Sequence, residues 1–477
     1  MRKLLPFLVA SIFGIVGIVQ VAPPAGPGPD FGDQNVSQDD GAVASPSAWY
    51  CPWVEAGDVV DTNIVVGSDA TVDVAMTLLD PISNTEPTEF LFNMVGPAGS
   101  GTDVGTVTRR GESPATIEVS DGPAAVAALQ RSDGFLAGDR CAVSVPKTWF
   151  LTGGSTKAGT FTTIRLFNPF ADNADVTITP YSEFNLDLVA ELESIDVGGR
   201  SWTTIDLEPF LDLRDELAFR VEATSGLVIP AIIRTDERGE AMWPGTTPSQ
   251  TWDFPIVTPG LLEPFIAVMS AGDDGVTVTV DVVTESGTVV AAREIVIDSS
   301  APQLIPLSDI AAPPFGVSVR ASSPIAASVI AVVPTGDLDS LGEGEEPGVT
   351  TTTGADQTTT VPPDTVEVFI KGLAGTVGAS TPSPNWMVPL DTLLDSETTV
   401  WVMNTGSEVA AVSLLPLSDG DIAPITIFVE PGTTQAVPID VGIGIHGVSV
   451  SADAPISVAW TIVGDRGVAL VAGVATL

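Results

Sequence analysis

The chain has 477 residues, and at about 100–150 residues per domain this length predicts three or four domains. It carries 61 Asp and Glu against 18 Lys and Arg. The net charge of −43 excludes a nucleic-acid binder of the basic-patch type, because phosphate would be repelled. A single His and two Cys exclude most zinc, haem and iron–sulfur sites and most Cys/His or Ser/His/Asp catalysis. We therefore expect no resident cofactor and a protein that is not an enzyme.

The first element is an apolar run that begins at Leu4, ends at Ala22 and follows Arg2 and Lys3. The run is long enough for one membrane span, and the basic residues before it place the N-terminus inside and the body outside. Residues 1–22 are thus an uncleaved signal-anchor or a signal peptide cleaved after Ala22, and Pro23 beyond that site favours the anchor. We expect an extracytoplasmic protein that is anchored to the cell membrane by this one span, or secreted.

Two segments have the composition of solvated linkers. Residues 23–47 are rich in Pro, Gly and Asp, and residues 336–364 are rich in Thr, Glu and Pro, so neither buries enough apolar surface to fold. We predict a disordered linker at 23–47 and a disordered insertion or linker at 336–364. Four carboxylates in or near the start of the second segment could bind Ca²⁺ weakly, although their spacing does not match the 12-residue calcium loop: Asp337, Asp339, Glu345 and Glu346.

A tryptophan motif recurs along the rest of the chain. Trp-x-x-Pro begins at Trp49, Trp252 and Trp386, and a variant with Thr in the proline place begins at Trp149. The first three copies lie about 100 residues apart, and the longer last spacing is explained if 336–364 is an insertion. About seventy residues after each Trp, two apolar residues flank one other residue in a second marker, at 117–119, 219–221, 317–319 and 448–450. These markers predict four repeated units, at 48–146, 147–246, 247–335 and 365–477.

The pattern within one unit is typical of β-strands. Residues 276–282 read Val-Thr-Val-Thr-Val-Asp-Val, which places the Val side chains on one face of a strand. About seven short strands per hundred residues indicate an immunoglobulin-like sandwich. We therefore predict an all-β fold, a tandem array of four immunoglobulin-like β-sandwich units after the N-terminal hydrophobic helix, joined head to tail as a rod. A propeller is disfavoured because its blades have only about 40–50 residues, and residues 208–216 are the best short helical candidate.

The two cysteines fit the expected compartment. Cys51 lies in the first tryptophan motif, and Cys141 lies near the end of the first unit. In an oxidising compartment two cysteines in one chain most simply form a disulfide. We predict a Cys51–Cys141 bond that ties the first strand of this unit to its last.

Few other residues indicate chemistry. His446 precedes a strand-like stretch with no nucleophile motif nearby, so we interpret it as structural. The run from Gly153 to Lys157 lacks the Gly-Lys-Ser/Thr ending of a phosphate-binding loop and is interpreted as a glycine turn. The four motif tryptophans recur at a fixed place, which predicts core or inter-unit packing rather than ligand binding. The other five share no repeat position: Trp53, Trp202, Trp243, Trp401 and Trp460.

Several short stretches carry a family resemblance. Residues 147–159 read Lys-Thr-Trp-Phe-Leu-Thr-Gly-Gly-Ser-Thr-Lys-Ala-Gly, residues 164–169 read Ile-Arg-Leu-Phe-Asn-Pro, and residues 175–178 read Asp-Val-Thr-Ile. With the Trp-Tyr-Cys-Pro opening at Trp49, they resemble the domain-of-unknown-function 5719 family, large secreted proteins of actinobacteria. The resemblance covers about residues 48–477. It implies an extracytoplasmic protein with an N-terminal hydrophobic segment, implies no activity and supplies no catalytic residue. The Thr-rich run looks like an addition relative to the family, which leaves residues 366–370 as either the last strand of the third unit or the first of the fourth.

Together these patterns favour a non-enzymatic extracytoplasmic protein, a structural or adhesive rod at the cell envelope. Its expected partners are envelope components or surface glycans, together with the membrane through the run from Leu4 to Ala22, and not nucleic acid. One alternative is a carbohydrate-binding surface protein that holds glycan on exposed tryptophans outside the repeat positions. A second alternative is an extracellular hydrolase, which needs two converging carboxylates, one of them with a raised pKa.

Overall fold

The computed structural model describes residues 48–57, 60–80, 87–108, 110–132, 134–258, 262–272, 275–297, 301–332, 372–391, 396–418, 422–441, 444–464 and 466–476. These residues form an all-β protein, which confirms the predicted class at that level. The expected hydrophobic helix at residues 4–22, the linker at 23–47 and the insertion at 336–364 lie outside the described residues. Among the residues described, no helix is long and apolar enough to cross a membrane.

The strands group into four modules, which are defined by the sheets they form. Module 1 comprises β1 (Ala48–Cys51), β2 (Glu55–Ala56), β3 (Asp61–Ser68), β4 (Val72–Leu78), β5 (Thr88–Met94), β6 (Ala98–Asp103), a 3₁₀ turn (Val104–Thr106), β7 (Gly111–Glu112), β8 (Ala115–Ser120), β9 (Ala125–Arg131) and β10 (Leu136–Arg140). Module 2 comprises β11 (Thr148–Gly154), β12 (Thr160–Asn168), β13 (Ala174–Ser182), β14 (Asn185–Leu186), a 3₁₀ turn (Ala190–Leu192), β15 (Ile195–Val197), β16 (Ser201–Asp206), β17 (Leu217–Ser225), β18 (Ile229–Asp236) and β19 (Gly239–Pro244).

Modules 3 and 4 each contain one very long strand. Module 3 comprises β20 (Ser249–Phe254), β21 (Glu263–Ser270), β22 (Val276–Thr284), β23 (Gly287–Ile297), β24 (Gln303–Pro306), β25 (Gly316–Val332) and β26 (Leu373–Val377). Module 4 comprises β27 (Ser383–Pro389), β28 (Ser396–Asn404), β29 (Ala410–Ser418), β30 (Ile425–Val429), β31 (Thr433–Ile439), β32 (Ile445–Gly464), β33 (Gly467–Ala472) and β34 (Val474–Ala475). The 17-residue β25 and the 20-residue β32 each pass through both sheets of their module.

One antiparallel strand order recurs in every module. Each module has eight main strands, which we number 1 to 8 in chain order without counting the short strands β2, β7, β15 and β34. Strands 1, 6, 3 and 4 form an outer sheet in that order, and strands 8, 7, 2 and 5 form an inner sheet in that order. In module 1 these are β1-β8-β4-β5 and β10-β9-β3-β6. In modules 3 and 4 the long strand supplies main strands six and seven. The order 1-2-5-4 of an immunoglobulin sheet is absent from these sheets, so the immunoglobulin-like part of the prediction is wrong for the described strands. Alternating hydrophobicity shows which face of a strand is buried, but it does not identify the neighbouring strand.

The eighth strands of the four inner sheets meet around one axis. β10 contacts β19, β19 contacts β26, β26 contacts β33, and β33 contacts β10. The strand β26 pairs with β25, so residues 373–377 belong to module 3, although the predicted fourth unit began at residue 365. Residues 366–370 lie outside the described residues. The modules thus form a ring in which the first and the fourth are neighbours.

This ring replaces the predicted head-to-tail rod. The described residues, which all lie between 48 and 476, make up one compact unit. The core of module 1 includes side chains of module 4, among them Met387, Leu417 and Val474. In a rod these side chains would face water, and the ring instead buries them, which is favourable by about 25 cal/mol for each Å² of apolar surface. The repeat motif marks the first strand of each module but carries no information about how the modules are arranged.

Two glycines permit close approach of the modules. A Cβ atom on Gly375 of β26 would lie 2.4 Å from the Trp243 ring of module 2, and one on Gly153 would lie 2.5 Å from Ile330 of module 3. Gly153 also has a φ of +92°, which favours glycine. It lies within β11 at a register irregularity, so the glycine turn expected from Gly153 to Lys157 begins inside a strand.

The predicted disulfide is confirmed. Cys51 at the end of β1 is bonded to Cys141, and both residues are buried. Tyr50 and Ala142 also form an isolated β-bridge beside the bond. Residues 208–216, the best helical candidate, contain turns without an α-helix and connect β16 to β17.

Candidate functional site

The four repeat tryptophans occupy equivalent positions in the first strand of each module. All are buried, and each lies opposite the sixth strand: Trp49 opposite Ile117, Trp149 opposite Val221, Trp252 opposite Val319 and Trp386 opposite Val450. In modules 2, 3 and 4 the indole Nε1 donates to a backbone carbonyl at 2.9–3.0 Å, that of Val228, Ile325 or Ile456. The second sequence marker is therefore the strand segment opposite the tryptophan, and both belong to the packing of the module.

Four of the other five tryptophans are also buried: Trp53, Trp243, Trp401 and Trp460. Trp202 is partly exposed, but its Nε1 donates to Glu112 at 2.7 Å and its ring packs against the core of module 2. A glycan site built on several exposed tryptophans, as the carbohydrate-binding alternative assumed, therefore does not exist among the described residues.

The axis of the ring holds a buried carboxylate. The Oδ2 atom of Asp139 accepts hydrogen bonds from Thr376 Oγ1 at 2.9 Å and from Val377 N at 3.2 Å, and its Oδ1 atom accepts one from Ala472 N at 3.2 Å. These donors belong to modules 3 and 4, so one side chain of module 1 joins three modules. Burial raises the pKa of Asp139 to about 7, against the opposing effects of Arg140 and of these hydrogen bonds.

Polar side chains also connect neighbouring modules at three further places. They share one feature, a hydrogen bond that crosses the boundary: Thr152 to Ser328 between modules 2 and 3 (2.8 Å), Ser457 to Asp253 between modules 4 and 3 (2.9 Å), and Asn63 to Asp391 between modules 1 and 4 (2.6 Å). Burial raises the pKa of Asp253 as well, while hydrogen bonds from Ser318 and Ser457 lower it. Buried carboxylates here bind neighbouring modules.

Modules 1 and 2 are connected through Glu112 of β7. Its Oε1 atom accepts from Arg165 Nη2 at 2.6 Å, and its Oε2 atom accepts from Trp202 Nε1 at 2.7 Å and Thr204 Oγ1 at 2.9 Å. The Arg165 side chain is buried and that of Glu112 is one-third exposed. A charge-assisted pair with both carboxylate oxygens engaged fixes the relative position of the two modules.

Two further glutamates lie beside this pair. Burial raises the pKa of Glu55 and of Glu240; Arg165 opposes the increase at both, and the charge of Glu112 adds to it at Glu55. A carboxylic acid with a raised pKa is one requirement of the hydrolase alternative. The second carboxylate at this place, Glu112, has both oxygens occupied by donors of module 2, which leaves no oxygen directed at a substrate.

Module 2 carries an open groove of about 510 Å³. One wall is the 3₁₀ turn Ala190–Leu192 with β15, and the other is β16 with the turn that follows it. The groove combines an aromatic ring, a proline and four oxygen-bearing side chains: Phe210, Pro209, Glu191, Ser194, Thr204 and Asp206. Its aliphatic floor includes Ile195 and Ile205, which pack against the module core.

The remaining candidates from the sequence are isolated from these features. His446 lies at the start of β32, half-buried against the backbone of Gly99. Across the ranges described, no three His, Cys, Asp or Glu side chains are grouped so as to hold a metal ion. The calcium candidates Asp337, Asp339, Glu345 and Glu346 lie outside those ranges.

The residues that connect the modules were not predicted from the sequence. Asp139 had one visible signal, an Asp-Arg pair inserted in an otherwise apolar strand beside Cys141. Glu112 and Asp253 had none, because a carboxylate near a strand end is common on solvated surfaces. Phe210 of the groove was also missed, since it lies in a stretch interpreted as a helical candidate.

Comparison with known families supplies one assignment. A family described as "Family of unknown function (DUF5719)" matches residues 99–371, more than half of the chain. The chain belongs to this family. The match confirms the resemblance over that part of residues 48–477 and includes all of module 2. DUF5719 has no activity in its description, so membership by itself assigns no site.

Other comparisons add little. No protein among the curated sequences matches the chain. Among solved structures, a "tetra-tandem repeat in extending region of large adhesion protein" is similar at 11% identity and a TM-score of 0.10, over 92% of this chain and 97% of that one. An α-L-rhamnosidase of Streptomyces avermitilis, complexed with L-rhamnose, is similar at 9% identity and a TM-score of 0.11, over 91% and 54%. Scores this low carry no argument about fold or function.

Proposed function

We propose that this DUF5719 protein is a non-enzymatic extracytoplasmic protein with a structural or adhesive role at the cell envelope. The ring of modules performs this role as one compact body. The Cys51–Cys141 disulfide supports a location in an oxidising compartment. The net charge of −43 favours solubility, because copies of the chain repel one another. Anchoring through the run from Leu4 to Ala22 remains part of the proposal.

One observation carries the adhesive role. Among the described strands, the fourth strands of the outer sheets, β5, β23 and β30, each pair with one neighbouring strand, and they expose large apolar side chains. These include Leu91, Val290 and Phe428, which are 73%, 69% and 66% exposed. Open strand edges with apolar side chains are typical of surfaces that bind another protein. Their recurrence at equivalent places in three modules supports a multivalent contact with an envelope partner.

A cell-aggregation assay tests this role. Cells that display the full chain should aggregate, and a variant with Leu91→Lys and Phe428→Lys should lose most of that aggregation. The matched control carries Asn93→Lys and Thr426→Lys, which add the same charge to exposed positions of the same two strands. Equal aggregation by the two variants, or recovery of the protein inside the cytoplasm after fractionation, contradicts the proposal.

A further inference from the structure

The fourth strand of module 2 departs from the repeat. It is divided in two, because β14 and β15 both pair with β13, and the residues 187–194 between them leave the sheet and contain the 3₁₀ turn. The fourth strands of the other modules, β5, β23 and β30, are continuous. Among the described strands this interruption is peculiar to module 2, and together with β15 it builds one wall of the 510 Å³ groove. A repeat that is interrupted where a groove forms indicates a function for that groove beyond packing.

The polar groups of the groove are arranged to accept hydrogen bonds. The Ser194 hydroxyl donates its proton to Asp175 Oδ1 at 3.0 Å, and the Thr204 hydroxyl donates to Glu112 Oε2 at 2.9 Å. The Ser194 hydroxyl can therefore only accept from a ligand, whereas Thr204 Oγ1 already accepts from Arg165 Nε at 3.4 Å and is engaged within the protein. The carboxylates of Glu191 and Asp206 are also acceptors, and both residues are exposed. Asp206 Oδ1 accepts from Thr163 Oγ1 at 3.1 Å, so its Oδ2 atom is the one offered to a ligand. The groove therefore favours a ligand that is rich in hydroxyl donors and disfavours an anion.

The apolar part of the groove fits the same ligand. Phe210 is 38% exposed and lines the groove next to Pro209. An aromatic ring offers a flat apolar face, against which the C–H face of a pyranose can pack. A volume of about 510 Å³ is within the range of small-molecule sites and accommodates one or two sugar rings. Because Ile195 and Ile205 are packed against the core, the floor is formed before a ligand arrives.

We propose that the groove of module 2 binds a neutral saccharide, with Phe210 stacked on a sugar ring and Asp206 and Glu191 accepting hydrogen bonds from its hydroxyls. This proposal rests on the extracytoplasmic role proposed above, since surface glycans are found there. The site differs from the exposed-tryptophan site of the sequence analysis, because it contains a phenylalanine and lies in a single module.

Affinity electrophoresis of the purified full chain tests the proposal. The gels contain soluble neutral polysaccharides, namely mannan, galactan, xylan and β-glucan, with polygalacturonate and polylysine as charged controls. We expect at least one neutral polysaccharide to retard the wild type, and Phe210→Ala to weaken that binding by about tenfold or more. Asp206→Ala should weaken it by several-fold. Phe184→Ala, in the turn between β13 and β14 of the same module and outside the groove, is the matched control and should bind as the wild type does.

Three results overturn the proposal: no neutral polysaccharide retards the wild type, only a charged polymer does, or Phe210→Ala and Phe184→Ala bind alike. Thermal unfolding of each variant verifies that it is folded. The electrophoresis does not depend on location or aggregation. Its failure therefore leaves the adhesive role intact, whereas failure of the aggregation assay leaves the saccharide groove intact.

Discussion

The axis of the ring and the groove of module 2 use carboxylates in opposite ways. At the axis, Asp139 is fully buried, and donors of modules 3 and 4 satisfy its oxygens. In the groove, Asp206 and Glu191 are exposed to solvent. A carboxylate that is shielded from water therefore holds the ring together, and a carboxylate that is exposed to water is available to a ligand. Stability and binding are thus assigned to separate parts of the molecule, and substitutions in the two parts should have separable effects.

The largest effect is expected beside the axis, at the disulfide. Cys51 and Cys141 are separated by 90 residues, and a cross-link over such a loop stabilises by about 4–5 kcal/mol in the chain-entropy model. Replacement of both by serine should lower the free energy of unfolding in urea by an amount of that order. A loss under about 1 kcal/mol would show that the ring restrains module 1 without the bond.

The next effect concerns Asp139 itself. Asp139→Ala leaves the buried donors of Thr376, Val377 and Ala472 without their acceptor, so we expect a loss of about 2 kcal/mol in the free energy of unfolding. Asp206→Ala in the groove is the control and should change stability by less than about 0.5 kcal/mol. Similar losses from the two variants would remove the distinction between axis and groove.

Stability should also depend on pH through Asp139. Its pKa is raised from 3.8 to about 7 in the folded protein, so the folded chain holds a proton that the unfolded chain releases. This contribution to stability is fully present below about pH 4 and is lost as the pH rises to about 7, at about 1 kcal/mol per pH unit. Urea unfolding across this interval should show a shallower slope for Asp139→Asn than for the wild type. Parallel profiles for the two proteins would contradict the assignment.

The smallest effects are expected in and beside the groove. Trp202→Phe removes the hydrogen bond to Glu112 and should lower the free energy of unfolding by about 1 kcal/mol. Phe210→Ala should lower it by less than about 0.5 kcal/mol, because the side chain is exposed at a turn. Thermal unfolding distinguishes these values. A loss of several kcal/mol from Phe210→Ala would identify the residue as part of the core.

The sequence predicted the features that repeat and those that are local. Alternating Val residues predicted strands, and the cysteine pair predicted the disulfide. Trp49 and its equivalents marked the first strand of each module. The closure of the ring was not predictable in this way. Met387 and Leu417 have the same apolar character as any core residue, and nothing in their sequence context shows that they contact module 1. The groove depends on a break in the fourth strand of module 2 at residues 187–194, and no pattern in the sequence marks that break.

The closed ring is tested most directly by a cross-link between modules 1 and 4. Asn63 Nδ2 donates to Asp391 Oδ1 at 2.6 Å, although 328 residues separate them. In a head-to-tail rod, two modules would lie between these positions. A chain with Asn63→Cys and Asp391→Cys should be cross-linked within one molecule by a short bifunctional thiol reagent, seen as faster migration on a non-reducing gel. The absence of that cross-link, with Cys51–Cys141 intact, would contradict the ring.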